Sequence, residues 1–269
     1  MLHLVFERAL TMTLKKKLKK IVLDSKIFRK PSIAYCSEHG LLPSVFVRTP
    51  SNSLREIFRL PESTNITQLN QDIFALIENR FDPGFFVEIG ANDGFSLSNT
   101  LYLEEHFGWT GLLVEANPKY YESLKGRKAK PVMAAVTKEP GFYDFCDAGL
   151  YGGLENLLDG THEKMTKGRN SIKVKGATLR QVLSEGKAPA NIDFISIDVE
   201  GAEVPIVEQM CELDDYRFSC GCIEHNSRES DYQKIRQLLE AAEYRIVWAD
   251  QTCHDLFFID RIRVNKRAE

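Results

Sequence analysis

Residues 85–94 read Phe85-Phe86-Val87-Glu88-Ile89-Gly90-Ala91-Asn92-Asp93-Gly94, an apolar run that closes with an acid and then a Gly-rich turn. Continuous apolar runs of this kind are typical of strands buried on both faces of a sheet. The turn lacks bulky side chains, so a ligand can approach its backbone closely. A second apolar run, Gly111–Glu115, also ends in an acid. In a doubly wound sheet this combination binds an adenosine, with the second acid on the ribose hydroxyls.

The composition is that of an ordinary globular protein. The chain has 269 residues, of which 43% are hydrophobic and 27% are charged, which allows one large domain or a domain with an appendage. The net charge of -3 gives no overall basic character, so we expect no nucleic-acid partner. The six cysteines are scattered and no secretory signal is apparent. We therefore expect a cytoplasmic protein without a disulfide framework.

The N-terminal region differs from the rest of the chain. Residues 1–65 are predicted to form a helical appendage and a Pro-, Ser- and Thr-rich connector, and residues 66–269 the catalytic domain. The segment Leu14–Leu23 is basic and amphipathic but too short to span a membrane. It is either a solvated packing helix or a surface helix that touches an anionic membrane or a partner.

Strands and helices alternate after residue 85, which predicts an α/β fold with a mostly parallel sheet. Strands are expected near 85–89, 111–115, 131–136, 193–198 and 219–224, followed by a hairpin of 244–249 with 256–260. Helices are expected near 95–106, 118–124, 178–184, 203–210 and 229–242, after an earlier one within 67–80. The Gly-rich segment 141–175 is predicted to be a long loop of functional importance.

Acids follow every predicted strand of the parallel set except the third. The residues at these ends are Glu88 with Gly90–Gly94, then Glu115 with Ala116 and Asn117, then Ala135 and Val136, then Asp198, Glu200 and Glu203, and finally Glu224, His225 and Asn226. Ligands bind at the carboxyl ends of the strands in such sheets. Clustered carboxylates repel one another, so folding alone does not favour this arrangement.

The turn itself indicates which adenosine is bound. A dinucleotide site needs Gly-x-Gly-x-x-Gly, because the pyrophosphate lies on a helix N-terminus. This chain has Asn92 at the second glycine position, and Asp93 would repel a pyrophosphate. S-adenosylmethionine (SAM) carries a sulfonium and an ammonium group, so an acid-lined site suits it. Glu88, Asp93 and Asp198 could meet this positive end while Glu115 binds the ribose.

The sequence resembles the FkbM-type methyltransferases over about residues 80–260, but not over residues 1–60. The motifs that carry the resemblance are Val87–Gly94, Ser98–Thr100, Gly108–Gly111, Val114–Pro118, Ile192–Glu203 and Ile223–Asn226. The Asp-Val-Glu-Gly-Ala-Glu block from Asp198 to Glu203 is the most specific of them. The resemblance implies a Rossmann-like class I methyltransferase fold with a seven-stranded, mostly parallel sheet, helices on both faces and an antiparallel strand entering through a C-terminal hairpin. It also implies SAM as cofactor and O-methylation of a sugar, a glycan or a natural product.

These arguments define the expected site residues. The cofactor-binding set is Glu88, Gly90, Ala91, Asn92, Asp93, Gly94, Ser98, Glu115, Ala116, Asn117, Ala135, Val136 and Asp198. His225 is the first candidate for the base that removes the hydroxyl proton, because an unperturbed imidazole titrates near pH 6.5. Asp198, Glu200 and Glu224 are the other catalytic candidates. A buried structural histidine is the competing interpretation of His225.

Three alternatives stay open at this point. Asp198, Glu224 and His225 could instead hold Mg²⁺ or a similar ion that polarises the acceptor hydroxyl. The fold could also serve a dinucleotide-dependent oxidoreductase, which Asn92 and Asp93 disfavour, or a catalytically silent binding module. The acceptor is a small molecule or a glycan of unidentified structure, and the sequence leaves a homo-oligomer open.

Overall fold

The architecture is taken from a computed structural model, which describes residues 51–58, 60–65, 67–158, 168–247 and 254–262. The predicted basic helix at 14–23 lies outside these ranges. The same is true of most of the connector, residues 159–167 and the tip of the predicted hairpin. No helix in the described ranges is long and apolar enough to span a membrane.

The helices and strands alternate along the catalytic region. The helices are α1 Ser51–Phe58, α2 Gln71–Glu78, α3 Leu101–Phe107, α4 Tyr121–Leu124, α5 Leu179–Gly186, α6 Glu203–Glu212 and α7 Glu229–Ala241. The strands are β1 Phe85–Ile89, β2 Thr110–Glu115, β3 Lys130–Met133, β4 Ala135–Val136, β5 Gly141–Asp147, β6 Gly153–Leu154, β7 Asn170–Ala177, β8 Asn191–Ile197, β9 Arg217–Glu224, β10 Tyr244–Val247 and β11 Asp255–Asp260. Short 3₁₀ helices occupy Pro118–Tyr120 and Gly149–Tyr151.

The main sheet has seven strands in the order β10-β11-β9-β8-β1-β2-β3. The pairs β9–β8, β8–β1, β1–β2 and β2–β3 are parallel, whereas β11 runs antiparallel to both β9 and β10. The order reverses between β1 and β8, which is where a ligand crevice forms in open α/β sheets. This is the class I methyltransferase topology, so the predicted fold class is confirmed.

Apolar side chains cover both faces of this sheet, as the continuous hydrophobic runs of its central strands require. One core contains Val87 and Ile195 together with α5, α6 and α7. The other contains Phe86 and Phe194 together with α2 and α3, and Leu54 of α1 joins it. Helix α1 therefore packs on the catalytic sheet, although it lies before residue 66. The predicted boundary at 65/66 stays a prediction.

The described part of the segment 141–175 is not one long loop, contrary to expectation. β5, β6 and most of β7 lie within it and form, with β4, a second sheet in the order β4-β7-β5-β6. The predicted third strand, 131–136, is divided between the two sheets, because β3 pairs with β2 while β4 pairs with β7. The many glycines here suggested a loop, but alternation along β5 and β7 buries Phe145 and Val174 in a small core of their own.

The helix expected near 95–106 begins only at Leu101. Residues before it form a turn stabilised by Asp93, whose carboxylate accepts hydrogen bonds from the backbone of Phe95 and Ser96 at 2.8 and 2.7 Å. Short polar side chains that bond nearby backbone N–H groups compete with helix formation in this way. The turn places residues 96–99 beside the end of β1.

Candidate functional site

Gly90 lets two strand ends approach each other closely. Its φ is +88°, in the left-handed region that favours glycine. A Cβ built on it would lie 1.7 Å from the carbonyl oxygen of Asp198. The N–H groups of Gly90 and Ala91 donate to Val114 at 2.9 and 3.1 Å. The Gly-rich turn therefore lies between the ends of β8 and β2.

Glu115 ends β2 with its carboxylate directed back to this turn. It accepts hydrogen bonds from the N–H groups of Asn92 at 2.8 Å and Asn117 at 2.7 Å. Burial raises the pKa of Glu115, and the hydrogen bonds from Asn117 and Asn92 oppose that shift. Each carboxylate oxygen keeps a further lone pair, so Glu115 can still accept bonds from ribose hydroxyls.

Glu88 anchors the loop after the Gly-rich turn. It accepts hydrogen bonds from the hydroxyls of Ser98 at 2.9 Å and Thr100 at 2.5 Å, and from the N–H of Asn99 at 2.8 Å. Burial raises the pKa of Glu88, while the positive charge of Arg127 acts against it. Glu88 is thus largely engaged in holding residues 98–100 against the strand.

Three acids meet at the ends of β8 and β9. Carboxylate oxygens of Asp198, Glu200 and Glu224 all lie within 4.8 Å of one another. Burial, with the charges of Glu200 and other acids, raises the pKa of Asp198 to about 6. Burial and Asp198 itself raise the pKa of Glu224 to about 11. Because the two carboxyl groups interact strongly, the pair holds a proton between Asp198 and Glu224 at neutral pH.

The turn carrying these acids is held by Glu203. Its carboxylate accepts N–H bonds from Val199 and Gly201 at 3.1 Å, and it pairs with Arg228 at 2.9 Å. Glu200 has a φ of +58° and Gly201 one of +125°, so the turn is tight. Asn226, also at positive φ, donates its amide to Glu200 at 3.1 Å and Glu224 at 2.9 Å.

A cavity of about 580 Å³ joins these groups. The predicted residues that line it are Glu88, Gly90, Ala91, Asn92, Ser98, Glu115, Ala116, Asn117, Ala135, Val136, Asp198, Glu200 and Glu224. Asp93, Gly94 and His225 are not among its lining residues. Partial burial would raise the pKa of Asp93, but bonds from Ser96 and Phe95 outweigh it and lower that pKa. The carboxylate of Asp93 thus stabilises its own loop, and its predicted contact with the cofactor stays a prediction.

Further lining residues were missed by the sequence reasoning. They are Gln68, Leu69, Ser96, Leu97, Tyr120, Phe145, the turn 149–152, Leu154, Ser196 and His254, among others. Several belong to the segment before β1 or to the second sheet and its 149–152 turn. His254 follows the undescribed hairpin tip and reaches the site because its carbonyl accepts the N–H of His225 at 2.6 Å.

His225 does not occupy the position expected of a catalytic base. Its side chain is 5% exposed, lies outside the cavity lining and packs on the ring of Tyr232 at 5.2 Å. Neither ring nitrogen has a hydrogen-bond partner within the described ranges. Burial, followed by the charges of His254 and Arg228, lowers its pKa. These features favour the competing interpretation of His225 as a buried structural residue, and the acids that cluster with Asp198 are Glu200 and Glu224. The catalytic and metal-binding roles of His225 stay predictions.

The substitution His225→Phe should leave turnover within about threefold of wild type. It replaces two unsatisfied buried nitrogens with an apolar ring, so the free energy of unfolding should be unchanged or raised by about 1 kcal/mol. Urea denaturation and methyl incorporation from labelled SAM measure the two quantities. A loss of turnover above a hundredfold with unchanged stability would restore His225 as the base.

The pH dependence of stability should reflect Asp255, which is buried beside the cluster. Burial raises its pKa to about 7, against the hydrogen bond that Gln71 donates at 2.9 Å. A raised carboxyl pKa means that the folded state binds the proton more tightly. Stability is therefore fully present below about pH 4 and is lost as the pH rises to about 7.

The matched variant is Asp255→Asn, which can still accept from Gln71 but cannot ionise. The unfolding free energy of this variant minus that of wild type should increase by about 2 kcal/mol between pH 5 and 7. Urea melts at several pH values, made without cofactor, give this difference. A difference that stays flat over the window would show that Asp255 ionises freely.

Comparison with known proteins identifies the family to which this chain belongs. Residues 88–246, more than half of the chain, match the family described as the methyltransferase FkbM domain. The structure is similar to an FkbM methyltransferase from Methylobacillus flagellatus KT, at 12% identity and a TM-score of 0.43, over 92% of this chain and 58% of that one. No curated protein sequence matches significantly.

Two further solved structures are similar at comparable levels. A precorrin-6y C5,15-methyltransferase from Geobacter metallireducens GS-15 is 15% identical with a TM-score of 0.37, over 74% of this chain and 90% of that one. The O-methyltransferase TomG from Streptomyces achromogenes, solved with SAM, is 12% identical with a TM-score of 0.37, over 78% and 87%.

The sheet order and the cavity at its switch point define a class I α/β methyltransferase. The chain belongs to the FkbM methyltransferase family, and it is a SAM-dependent enzyme. The predicted family, fold and enzyme class are confirmed. The dinucleotide-dependent oxidoreductase and the silent binding module lose their support.

The residues around the cavity fit SAM. Gly90 keeps the turn free of a side chain that would fill the space near Asp198, and Glu115 keeps free lone pairs for hydroxyl donors. The acids at the ends of β8 and β9 suit a cationic ligand. The volume of about 580 Å³ is in the usual range for small-molecule sites.

Proposed function

We propose that the enzyme transfers a methyl group from SAM to a hydroxyl oxygen of a sugar, a glycan or a related natural product. The observation that carries this proposal is the acidic cluster of Asp198, Glu200 and Glu224 in the wall of the cofactor cavity. Carboxylates and an amide are the groups that bind polyol hydroxyls, since they accept and direct O–H donors. Glu115, on the far side of the Gly-rich turn, is assigned to the ribose.

The perturbed pKa values support separate roles for two members of the cluster. Asp198, with its pKa raised by burial to about 6, is ionised at neutral pH and is suited to accept the hydroxyl proton. Burial and the charge of Asp198 raise the pKa of Glu224, so the proton that the pair holds is available for a hydrogen bond to the acceptor. Titratable pairs with separated pKa values are typical of acid–base sites.

SAM supplies an activated methyl group, so the protein mainly has to align the hydroxyl oxygen with it and exclude water. Asn226 bonds both Glu200 and Glu224 and so fixes the orientation of their carboxyl groups. Leu97, Leu150 and Tyr151 are exposed side chains in the cavity lining, and they are assigned to the apolar parts of the acceptor.

The test is methyl incorporation from labelled SAM into a panel of nucleotide sugars, oligosaccharides, glycolipids and hydroxylated natural products, with peptides and RNA as contrasts. The proposal predicts incorporation into a hydroxylated acceptor and a product whose methyl group is stable to base, as an ether is. Incorporation only into peptide or nucleic-acid nitrogen would overturn it.

The same assay also tests whether a divalent metal ion takes part in catalysis. Asp198, Glu200 and Glu224 offer three carboxylates at distances that a divalent ion could bridge. Turnover after chelation and after adding back Mg²⁺ or Mn²⁺ separates the two mechanisms. Unchanged turnover after chelation assigns the proton transfer to the side chains, whereas loss and recovery assigns it to a metal.

A further inference from the structure

The segment before β1 reaches the catalytic cavity, although the family match begins only at residue 88. Gln68 and Leu69 line the cavity alongside residues of the matched region. Two hydrogen bonds fix the ends of this short stretch to the site. Asn65 bonds the loop after β1, and Gln71 bonds Asp255 at the start of β11.

A buried ion pair holds this segment in place. Arg55 of α1 donates to Asp72 of α2 at 2.6 Å, and both side chains are almost fully buried. Thr67 donates to the second oxygen of Asp72 at 2.9 Å, and Arg55 also donates to the backbone carbonyl of Asn65 at 3.0 Å. Because charge-assisted bonds of this kind are strong and directional, the backbone at Asn65 is fixed from the N-terminal side.

Asn65 connects this fixed segment to a loop that lines the cofactor cavity. Its side-chain amide donates to the carbonyl of Ser98 at 3.0 Å, across 33 residues of sequence. The Ser98 hydroxyl in turn donates to Glu88 at 2.9 Å. Residues 96–99 all line the cavity, so the bond from Asn65 holds part of the cavity wall in place.

We infer that Asn65 is a positioning residue for SAM binding, acting through the 96–99 loop. Glu88 and Arg127 bond the Ser98 hydroxyl, and Asn65 bonds the Ser98 backbone carbonyl. Loss of the Asn65 bond removes the side-chain partner of this carbonyl and lets the loop move relative to the Gly-rich turn. The connector is therefore part of the active site and not only a link to it.

A matched control lies 14 residues downstream. Asn79 is also 8% exposed, as Asn65 is, and its side-chain amide also donates to a backbone carbonyl, that of Asp82, at 3.0 Å. Its partners belong to the turn before β1, and none of them lines the cavity. Asn65→Ala and Asn79→Ala therefore both remove a bond from a side-chain amide to a backbone carbonyl. Only the bond from Asn65 reaches a residue that lines the cavity, Ser98.

The experiment measures SAM affinity of the full chain by isothermal titration, with thermal melting to record stability. Both variants should lower Tm, because Asn65→Ala loses one buried hydrogen bond and Asn79→Ala loses two that are partly buried, to Asp82 and Pro83. Asn65→Ala should weaken SAM binding about three- to tenfold, the equivalent of one hydrogen bond, and Asn79→Ala by less than about twofold. Asn65→Asp, which keeps the shape but removes the donor, should weaken SAM binding at least as much as Asn65→Ala.

Wild-type SAM affinity in both Asn65 variants would overturn the inference. Equal weakening in Asn65→Ala and Asn79→Ala would overturn it as well, since the effect would then follow general stability. If Asn65→Ala fails to fold, Asn65→Asp provides the same comparison. The identity of the acceptor does not enter this test, so the outcome is independent of the proposed O-methylation.

Discussion

Replacing Gly90 with alanine should abolish SAM binding and turnover and should destabilise the fold by at least about 3 kcal/mol. The added Cβ would lie 1.7 Å from the carbonyl oxygen of Asp198, which is backbone and cannot rotate away. The φ of +88° adds conformational strain of about 1–2 kcal/mol for any residue with a Cβ. To relieve the contact, the ends of β1 and β8 must separate, and both contribute to the cavity.

The control for Gly90→Ala is Gly108→Ala, at the end of α3. Gly108 also has a positive φ, of +68°, but a Cβ there would meet no atom within 4 Å. It should lose about 1–2 kcal/mol from strain alone and keep SAM affinity within about twofold. Urea denaturation and isothermal titration distinguish the two variants. A Gly90→Ala protein that resembles Gly108→Ala in both measurements would show that the strand ends are not in close contact.

Replacing Asp198 with asparagine should lower kcat by about 10²- to 10⁴-fold, the usual contribution of a general base. Asparagine keeps the shape of the side chain, but it cannot accept the hydroxyl proton. Removing one acid from a repelling cluster should at the same time stabilise the fold, because burial and the neighbouring carboxylates raise the pKa of Asp198 to about 6. The variant should therefore be more stable and far less active than wild type.

The pH profile provides a second readout for Asp198. A base must be ionised, so wild-type turnover should increase as the pH rises through about 6, and Asp198→Asn should lose this rising limb. Asp147→Asn is a suitable control, since Asp147 lies outside the cavity lining. Asparagine can still accept the bond that Asn117 donates at 2.9 Å, and only the partly exposed ion pair with Lys119 is lost. Asp147→Asn should change kcat by less than about threefold. Turnover of Asp198→Asn at the wild-type level would assign the proton transfer to another group.

The parts of the site that could be predicted are those whose position follows from a short stretch of consecutive residues. Gly90 and Glu115 follow from an apolar run, a turn and a terminal acid, and the structure brings them into one cavity. Their roles in binding SAM remain predictions. The central strands were also close to expectation, because burial on both faces makes their sequences continuously apolar.

The structure departs most from the sequence-based expectation where side-chain direction depends on long-range packing. His225 sits between a cavity acid and a cavity amide in sequence, but alternation along the strand end turns its ring away from them. Asp93 carries the negative charge expected beside a cationic cofactor, but its carboxylate accepts hydrogen bonds from the N–H groups of Phe95 and Ser96. Gln68 and His254 reach the site through tertiary contacts that no local pattern encodes. The membrane-surface helix at 14–23, the cytoplasmic location and the oligomeric state remain predictions.

The second sheet supplies a wall of the cavity that is separate in sequence from the Gly-rich turn. It branches from the main sheet directly after β3, and its 149–152 turn and β6 form part of the cavity wall. The Gly-rich turn, Glu88 and Glu115 lie elsewhere in the chain. Substitutions in β6 and the 149–152 turn should therefore change the cavity wall near Leu150 and Tyr151, while the Gly-rich turn, Glu88 and Glu115 keep their sequence.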